Sequence, residues 1–403
     1  MSPLSILCVA SYHKGDDFLR AAKATGSTVY LITSKKHEQK PWAREAIDEI
    51  FYVQEDENNN WDMNEVISGM AWLMRNKQID RIVALDDFDV EKAAQLREHF
   101  RIAGMGQTTA RYFRDKLAMR VKAQQAGINV PAFCALFNDA EIHAYTQRVS
   151  PPWVVKPRSE ASATGIKKVH SAHELWQVLD EIGDKRHQYL LEQFKPGDVY
   201  HADALTLDGS VLFCRVSQYL NTPFEVAHGG GIFRSHTVEF GGKDDKALQK
   251  MNAQVMKAFG MQYSASHTEF IRCNDDGKYY FLETASRVGG ANLAEMVFFS
   301  SGINLWAEWA KLEVAVANGT NYQLPTQTND HAGIVVSLAR QENPDTSQFQ
   351  DAEIIWRMDM KHHVGLIIQS DRRQRILSLL EDYAEVIFRH YHASAPAPDK
   401  PTH

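Results

Sequence analysis

The sequence predicts an α/β and α+β multidomain protein, and three observations carry that prediction. Over the first ~105 residues, short apolar runs alternate with helical patterns, which implies a parallel sheet with crossover helices. From Tyr189 to Tyr219, and again over Thr268–Thr284, the pattern turns β-rich and is punctuated by hairpin turns. A polar stretch without periodicity, Asn318–Asp330, then sets off a last group of strands and one helix. With 403 residues the chain has material for two to three domains with real cores.

The elements follow in order. Leu4–Ala10 reads as a buried strand and Asp16–Ala24 as the helix after it. Thr28–Thr33, Ile50–Val53 and Arg81–Leu85 are further strands, with helices over Trp61–Arg75 and Val90–His99. No GxGxxG follows the first strand, so a dinucleotide site is not expected there. Asp86, Asp87 and Asp89 cluster after the fourth strand, where open α/β sheets bind ligands. The same three residues equally suit a helix N-terminus through its dipole. Thr108–Ala126 reads as one helix stopped by Gly127. Asn138–Arg148 is a short helix and Trp153–Lys156 a strand. Ser171-Ala172-His173-Glu174 is a capping box that opens a helix to Ile182. Tyr189–Phe194, Val199–Leu207 and Val211–Tyr219 are strands, the last two joined by an Asp208-Gly209 turn. Asp244–Phe259, Leu293–Ser300 and Leu305–Ala317 are helical. His331–Ala339, Glu353–Met358 and Val364–Gln369 are strands before a terminal helix over Arg372–His390. The tail SAPAPDKPTH is expected to be disordered.

Composition excludes several functions. A net charge of −7 without any basic run argues against nucleic-acid binding. Cys8, Cys134, Cys214 and Cys273 are far apart and form no CxxC, so reduced thiols in a cytoplasmic protein are expected. The start, MSPLSILCVASYHKG, lacks the basic residues and apolar length of a signal peptide. No run approaches the ~18 apolar residues of a membrane span.

The chemistry gathers around His267–Asn292. Two strand patterns flank Asn274-Asp275-Asp276-Gly277, and a three-residue loop over Asp275–Gly277 would place Gly277 in the left-handed position. That register sets Glu269 opposite Glu283 on one face, with Cβ atoms about 5 Å apart. Two such carboxylates call for a cation between them, and an oxygen-seeking ion such as Mg²⁺ is the simplest candidate. They would equally suit an exposed, solvated face. A two-residue loop would put them on opposite faces and remove the site.

Four further segments bear on this hairpin. Lys156 ends a strand and leads into Arg158–Ile166, a loop of small residues whose backbone donors and neighbouring ammonium could meet phosphates. Lys116 could converge with it to neutralise a polyphosphate. Tyr189–Asp198 is an apolar strand carrying Glu192 near its end, where strand backbone could imitate a base pair for adenine. Arg287-Val288-Gly289-Gly290 combines an oxyanion fork with room for close backbone approach. Phe224–Phe233, with His228-Gly229-Gly230-Gly231, could close over an intermediate. Arg215, Tyr219, His267 and Arg357 are candidates for a substrate pocket. Tandem His362-His363 lacks the further ligands that a metal would need.

In this order the segments resemble the ATP-grasp superfamily, over residues 107–318. The stretch YFRDKLAMRVKAQQAGINVPAF resembles the entry helix of its biotin-carboxylase-like carboxylate–amine (amino-acid type) ligases. The resemblance implies a Rossmann-like leader over 1–106, a nucleotide-binding and catalytic region over 107–318 with its lid at 130–195, a small C-terminal α+β domain over 319–393, and a tail from 394. It implies ATP and Mg²⁺ as cofactors. Lys116 and Lys156 would bind the ATP phosphates, and the covering loop would contribute Ser162, Thr164 and Gly165. Glu192, Gln193, Phe194 and Lys195 would take adenine. Asp198 or His201 would take the ribose, because the usual glutamate falls at Val199. Glu269 and Glu283 would hold Mg²⁺. Lys156 and Arg287 would be the catalytic side chains. The family's third metal ligand, usually an asparagine, falls at Ala285, and the covering loop is poor in glycine.

The implied reaction phosphorylates a carboxylate to an acyl phosphate, releases ADP and passes the acyl group to an amine or similar nucleophile. The partners would be small-molecule carboxylate and amine substrates, and a homodimer is compatible with the reading. Two alternatives stay open: a bicarbonate-activating carboxylase served by a separate biotin carrier, and a non-catalytic ATP-binding regulator, which Ala285 and Val199 would suit.

Overall fold

The computed structural model describes residues 3–160, 165–223, 225–226 and 230–394. Ser162 and Thr164, most of the glycine-rich Phe224–Gly230 stretch and the tail from 395 lie outside the described residues.

Four strands form the first sheet: β1 (Ser5–Ala10), β2 (Thr28–Ser34), β3 (Glu49–Val53) and β4 (Arg81–Ala84). All pair in parallel, in the order β3-β2-β1-β4, as the alternation of strand and helix requires. Strand β1 is buried along its whole length because both faces are covered. Val66, Met70, Val90 and Ala93 of the helices at 63–73 and 90–100 join one core. Phe18 and Leu19 of helix 16–24 join another. Leu305 and Trp309 pack into that second core from the helix at 305–318, far along the chain, with Phe18 edge-on to Trp309 at 5.1 Å.

A smaller antiparallel sheet follows, made of β5 (Phe133–Ala135), β6 (Trp153–Pro157), β7 (Lys167–Val169) and β8 (Tyr189–Gln193), in the order β5-β8-β6-β7. Leu175 and Leu179 of helix 172–182 and Ile142 of helix 139–148 fill its own core. The strands β5 and β7 have only three residues each and were not expected from sequence.

The largest sheet has eight strands among the described residues: β9 (Gly197–Leu207), β10 (Ser210–Tyr219), β11 (Phe233–Thr237), β12 (Ser264–Cys273), β13 (Tyr279–Ala285), β14 (His331–Leu338), β15 (Ile354–Arg357) and β16 (His363–Ser370). Their order is β13-β12-β9-β10-β11-β14-β16-β15. The strands beyond the polar stretch at 318–330 thus continue the central sheet through the β11–β14 pairing. The small C-terminal region has no sheet of its own. Its helix, Arg373–His390, packs its apolar stripe of Ile376, Leu379, Leu380, Tyr383 and Ile387 onto β14 and β16.

One expected helix is broken. Thr108–Ala126 resolves into short turns over 107–113 and a helix over Lys116–Gln125. Asp115 interrupts it by capping, accepting from the backbone N–H of Leu117 at 2.9 Å and of Ala118 at 3.3 Å. Lys116 therefore stands at a helix N-terminus, not within a helical face.

Candidate active site

The two hairpin glutamates do face each other, by a route the sequence did not indicate. The β12–β13 turn closes on Cys273 and Lys278, with the Cys273 N–H donating to the Lys278 carbonyl at 2.9 Å. The loop is thus Asn274–Gly277, one residue longer than expected, with Gly277 left-handed at φ 66°. Taken alone this would slip the register by one. A bulge restores it: Phe270 pairs with Phe281, Glu269 pairs with Glu283, and Leu282 is the extra residue. Glu269 also pairs with His201 on β9. Directly opposed residues share a face, so Glu283, Glu269 and His201 form one row across three strands.

Cations surround the outer end of that row. Lys116 Nζ lies 2.7 Å from Glu283 Oε2 and donates to the Glu160 carbonyl at 2.7 Å. It thereby ties the hairpin to the loop after β6. Burial raises the cost of the Glu283 charge, but Lys116 and then Lys156 outweigh it and hold the carboxylate below its ordinary range. Lys156 is buried and lies 2.5 Å from Glu192. Burial pushes its ammonium down to about 8, against the pull of Glu192. The other Glu192 oxygen takes Arg120. Arg120 was missed from sequence, although it stands four residues after Lys116, about one helical turn on. The Glu192 carboxylate is turned inward and committed to two cations, so it does not reach for an adenine amine. Arg158 is likewise committed, to Asp115 through Nε at 2.9 Å.

Behind Glu269 runs a buried relay of polar groups. Tyr219 donates to Glu269 at 3.0 Å, and His267 Nε2 lies 3.7 Å from the same oxygen. His267 Nδ1 meets Asp203 at 2.8 Å, and the other Asp203 oxygen meets His201 Nδ1 at 2.6 Å. His201 Nε2 then meets Ser235 at 2.7 Å. Burial opposes the charge on His267, yet the Asp203 charge and hydrogen bond hold the imidazole up at about 9. Gly289 makes room for this relay: a Cβ there would come within 2.8 Å of Asp203 and 3.0 Å of His267. The expected ribose role for His201 does not survive. The side chain is fully buried with both ring nitrogens engaged. Asp198, the other ribose candidate, is exposed at the far end of β9 and pairs across to Arg272.

Arg287 joins the first sheet to the site. Its Nη2 lies 2.5 Å from Asp87 and its Nη1 donates to the Val288 carbonyl. Its Nε is buried without a partner among the described residues. The Asp86–Asp89 cluster thus serves several ends. Asp86 accepts from the Phe88 N–H and pairs with Lys14, Asp87 holds Arg287, and Asp89 accepts from the Ser11 N–H at 2.7 Å. Of the candidate pocket residues, Tyr219 and His267 meet at Glu269. Arg215 turns to Asn329 and Thr328, and Arg357 to the backbone at Thr346 and Phe349. Gly165 lies just before β7, and Phe194 and Lys195 just after β8; Phe194 is capped by Lys168 and Lys195 lies over Tyr280.

The donor set fits a hard divalent cation. Two opposed carboxylates, 16% and 34% exposed, open on the same side, and each is balanced by a protein donor that an ion could replace. The one group of three metal-capable side chains gathered within 4.8 Å among the described residues is His201, Asp203 and His267. Asp203 is already shared between the two histidines there. That trio is a hydrogen-bonded relay behind Glu269.

No protein-family model matches the chain. An L-arginine-specific L-amino acid ligase of Bacillus subtilis is 24% identical over 306 residues, 74% of this chain and 72% of the relative. A D-alanine–D-alanine ligase of Neisseria meningitidis is 22% identical over 45% of this chain and 59% of its own length. The crystal structure of an L-amino acid ligase from Bacillus licheniformis superposes with a TM-score of 0.76 over 97% of this chain and 98% of that one, at 16% identity. By sequence and by fold the chain resembles these ligases. An ADP-bound N5-carboxyaminoimidazole synthetase from Staphylococcus aureus shares the fold at a TM-score of 0.70 over 94% of this chain and 97% of that one, at 12% identity. No described helix is long and apolar enough to cross a membrane.

Proposed function

We infer that this chain is an ATP-grasp ligase that joins the carboxylate of one amino acid to the amine of another. One observation carries the reading: Glu283, paired directly with Glu269, sits under Lys116, which spans from the hairpin to the loop after β6. The long sequence match to an L-amino acid ligase supports the choice of substrate class. In this reading Glu269 and Glu283 hold the divalent cation, which supplies charge neutralisation for the phosphates. Lys116 and Lys156 take up the charge of the transferring phosphoryl group, so positioning and electrostatics supply the rate. A substrate carboxylate oxygen bonds to the γ-phosphorus as the bond to ADP breaks. The amine then bonds to the acyl carbon, phosphate leaves and the amine loses a proton to solvent. Arg287, fixed by Asp87, faces the developing oxyanion.

The test is product analysis with the full chain, ATP, Mg²⁺ and a mixed amino-acid pool. ADP and phosphate should appear with dipeptide detectable by mass, and Glu283→Gln should nearly abolish all three while circular dichroism is unchanged. AMP with pyrophosphate, ADP formation that needs bicarbonate and biotin, or tight ATP binding without turnover on any pool would each overturn the reading.

A further inference from the structure

We propose that His267 is a third protein ligand of the divalent cation, in place of the side chain missing at Ala285. The proposal rests on the assignment of Glu269 and Glu283 as cation ligands. Three observations lead to it. First, the bulge-corrected register pairs His267 directly with Ala285, two residues along from the Glu269–Glu283 pair. Because strand side chains alternate with period two, all four lie on one face. The methyl group of Ala285 leaves the imidazole unobstructed from across the strand pair.

Second, His267 is held the way metal-binding histidines are held. Its Nδ1 meets the buried Asp203 carboxylate at 2.8 Å, and Asp203 is in turn anchored by His201, whose Nε2 meets Ser235. A carboxylate behind one ring nitrogen fixes the ring and leaves the other nitrogen for an ion. That nitrogen, Nε2, lies 3.7 Å from Glu269 Oε1. Two donors on one ion at about 2.0–2.2 Å each need to be about 3 Å apart. Glu269, Glu283 and His267 are not gathered within 4.8 Å of one another here, so the ion would draw Glu283 in as well and would displace the Nε2 proton to solvent. Third, the backbone makes way for the arrangement. Any side chain at Gly289 would press on both Asp203 and His267.

A nitrogen ligand changes which ion is preferred. Mg²⁺ favours oxygen donors, whereas Mn²⁺ and later first-row ions accept imidazole readily. The site is therefore tuned toward Mn²⁺ relative to an all-oxygen site.

The deciding experiment is pulsed electron paramagnetic resonance on the full chain with Mn²⁺ and ADP. The expected result is modulation from a directly coordinated imidazole nitrogen, which changes its signature when histidine is labelled with nitrogen-15. His267→Ser should abolish the modulation and weaken Mn²⁺ affinity by about 10–100-fold. Adding Ala285→Asn to that variant should restore affinity through an amide oxygen, without restoring the nitrogen signal. Mn²⁺ bound with ADP but showing no histidine coupling in the unaltered protein would overturn the proposal and leave the glutamate site standing. Failure of Mn²⁺ and ADP to bind at all would overturn both.

Discussion

Lys156 shows how one residue type acquires a function from its surroundings. In sequence it is a lysine at the end of a short apolar run. In the fold it is buried beside Glu192 and Arg120, and burial brings its ammonium down to about 8. Its folded-state pKa lies below the value of about 10.4 in an unfolded chain. The buried ammonium therefore costs stability below pH 8, and the cost fades as pH rises toward 10.4. Phosphate binding runs the opposite way, since it needs the charged form. ATP affinity should fall as pH rises through 8, by up to about tenfold between pH 8 and 9, and Lys156→Met should flatten the profile. Calorimetry at pH 7, 8 and 9 checks this; an unaltered protein with equal affinity throughout would remove Lys156 from the phosphate site.

At the scale of elements, two local devices place the site. Asp115 ends one stretch of turns and caps the helix at 116–125, while also gripping Arg158. Asp115→Ala should cost about 1–2 kcal/mol through the lost cap. It should lower ADP formation more than that loss explains, because Lys116 is the next residue. A thermal melt beside an ADP assay separates the two effects, and a variant that melts lower with full turnover would show that the cap serves stability alone. The second device is the Leu282 bulge. A four-residue loop and a bulge together produce the same Glu269–Glu283 pairing as a three-residue loop without one. The sequence pattern therefore pointed to the right pair through the wrong turn. Neither device has a clear sequence signature. Arg114-Asp115 reads like any charged helical turn, and a bulge at an apolar residue leaves the strand pattern intact.

At the scale of the whole molecule, the first sheet is fastened to the catalytic region by buried ion pairs. Arg81, on β4, meets Glu313 of helix 305–318 through Nε at 3.1 Å, and both side chains are about 5% exposed. Trp309 and Tyr263 complete the cluster, with Trp309 donating to Glu313 at 3.2 Å and Tyr263 under the guanidinium. Breaking such a pair strands a charge, so Glu313→Ala should destabilise the fold by about 3–5 kcal/mol, with part recovered by adding Arg81→Met. Equilibrium denaturation measures both; a shift below about 1 kcal/mol would mean that water readily reaches Arg81. The Arg287–Asp87 pair is the second fastening and reaches the candidate site itself.

Strand and helix positions, the parallel leader and the order of lysine, small-residue loop, strand and paired glutamates were legible in the sequence. They rest on local periodicity and turn chemistry, which neighbouring residues carry by themselves. The sequence could not show that Glu192 is consumed by Arg120 and Lys156, that His201 is fully buried with both ring nitrogens engaged, or that Asp203 stands behind His267. Nor could it show that the C-terminal strands extend the central sheet. These are contacts between residues tens to hundreds of positions apart, and only the packing of whole elements brings their charges close enough to choose partners.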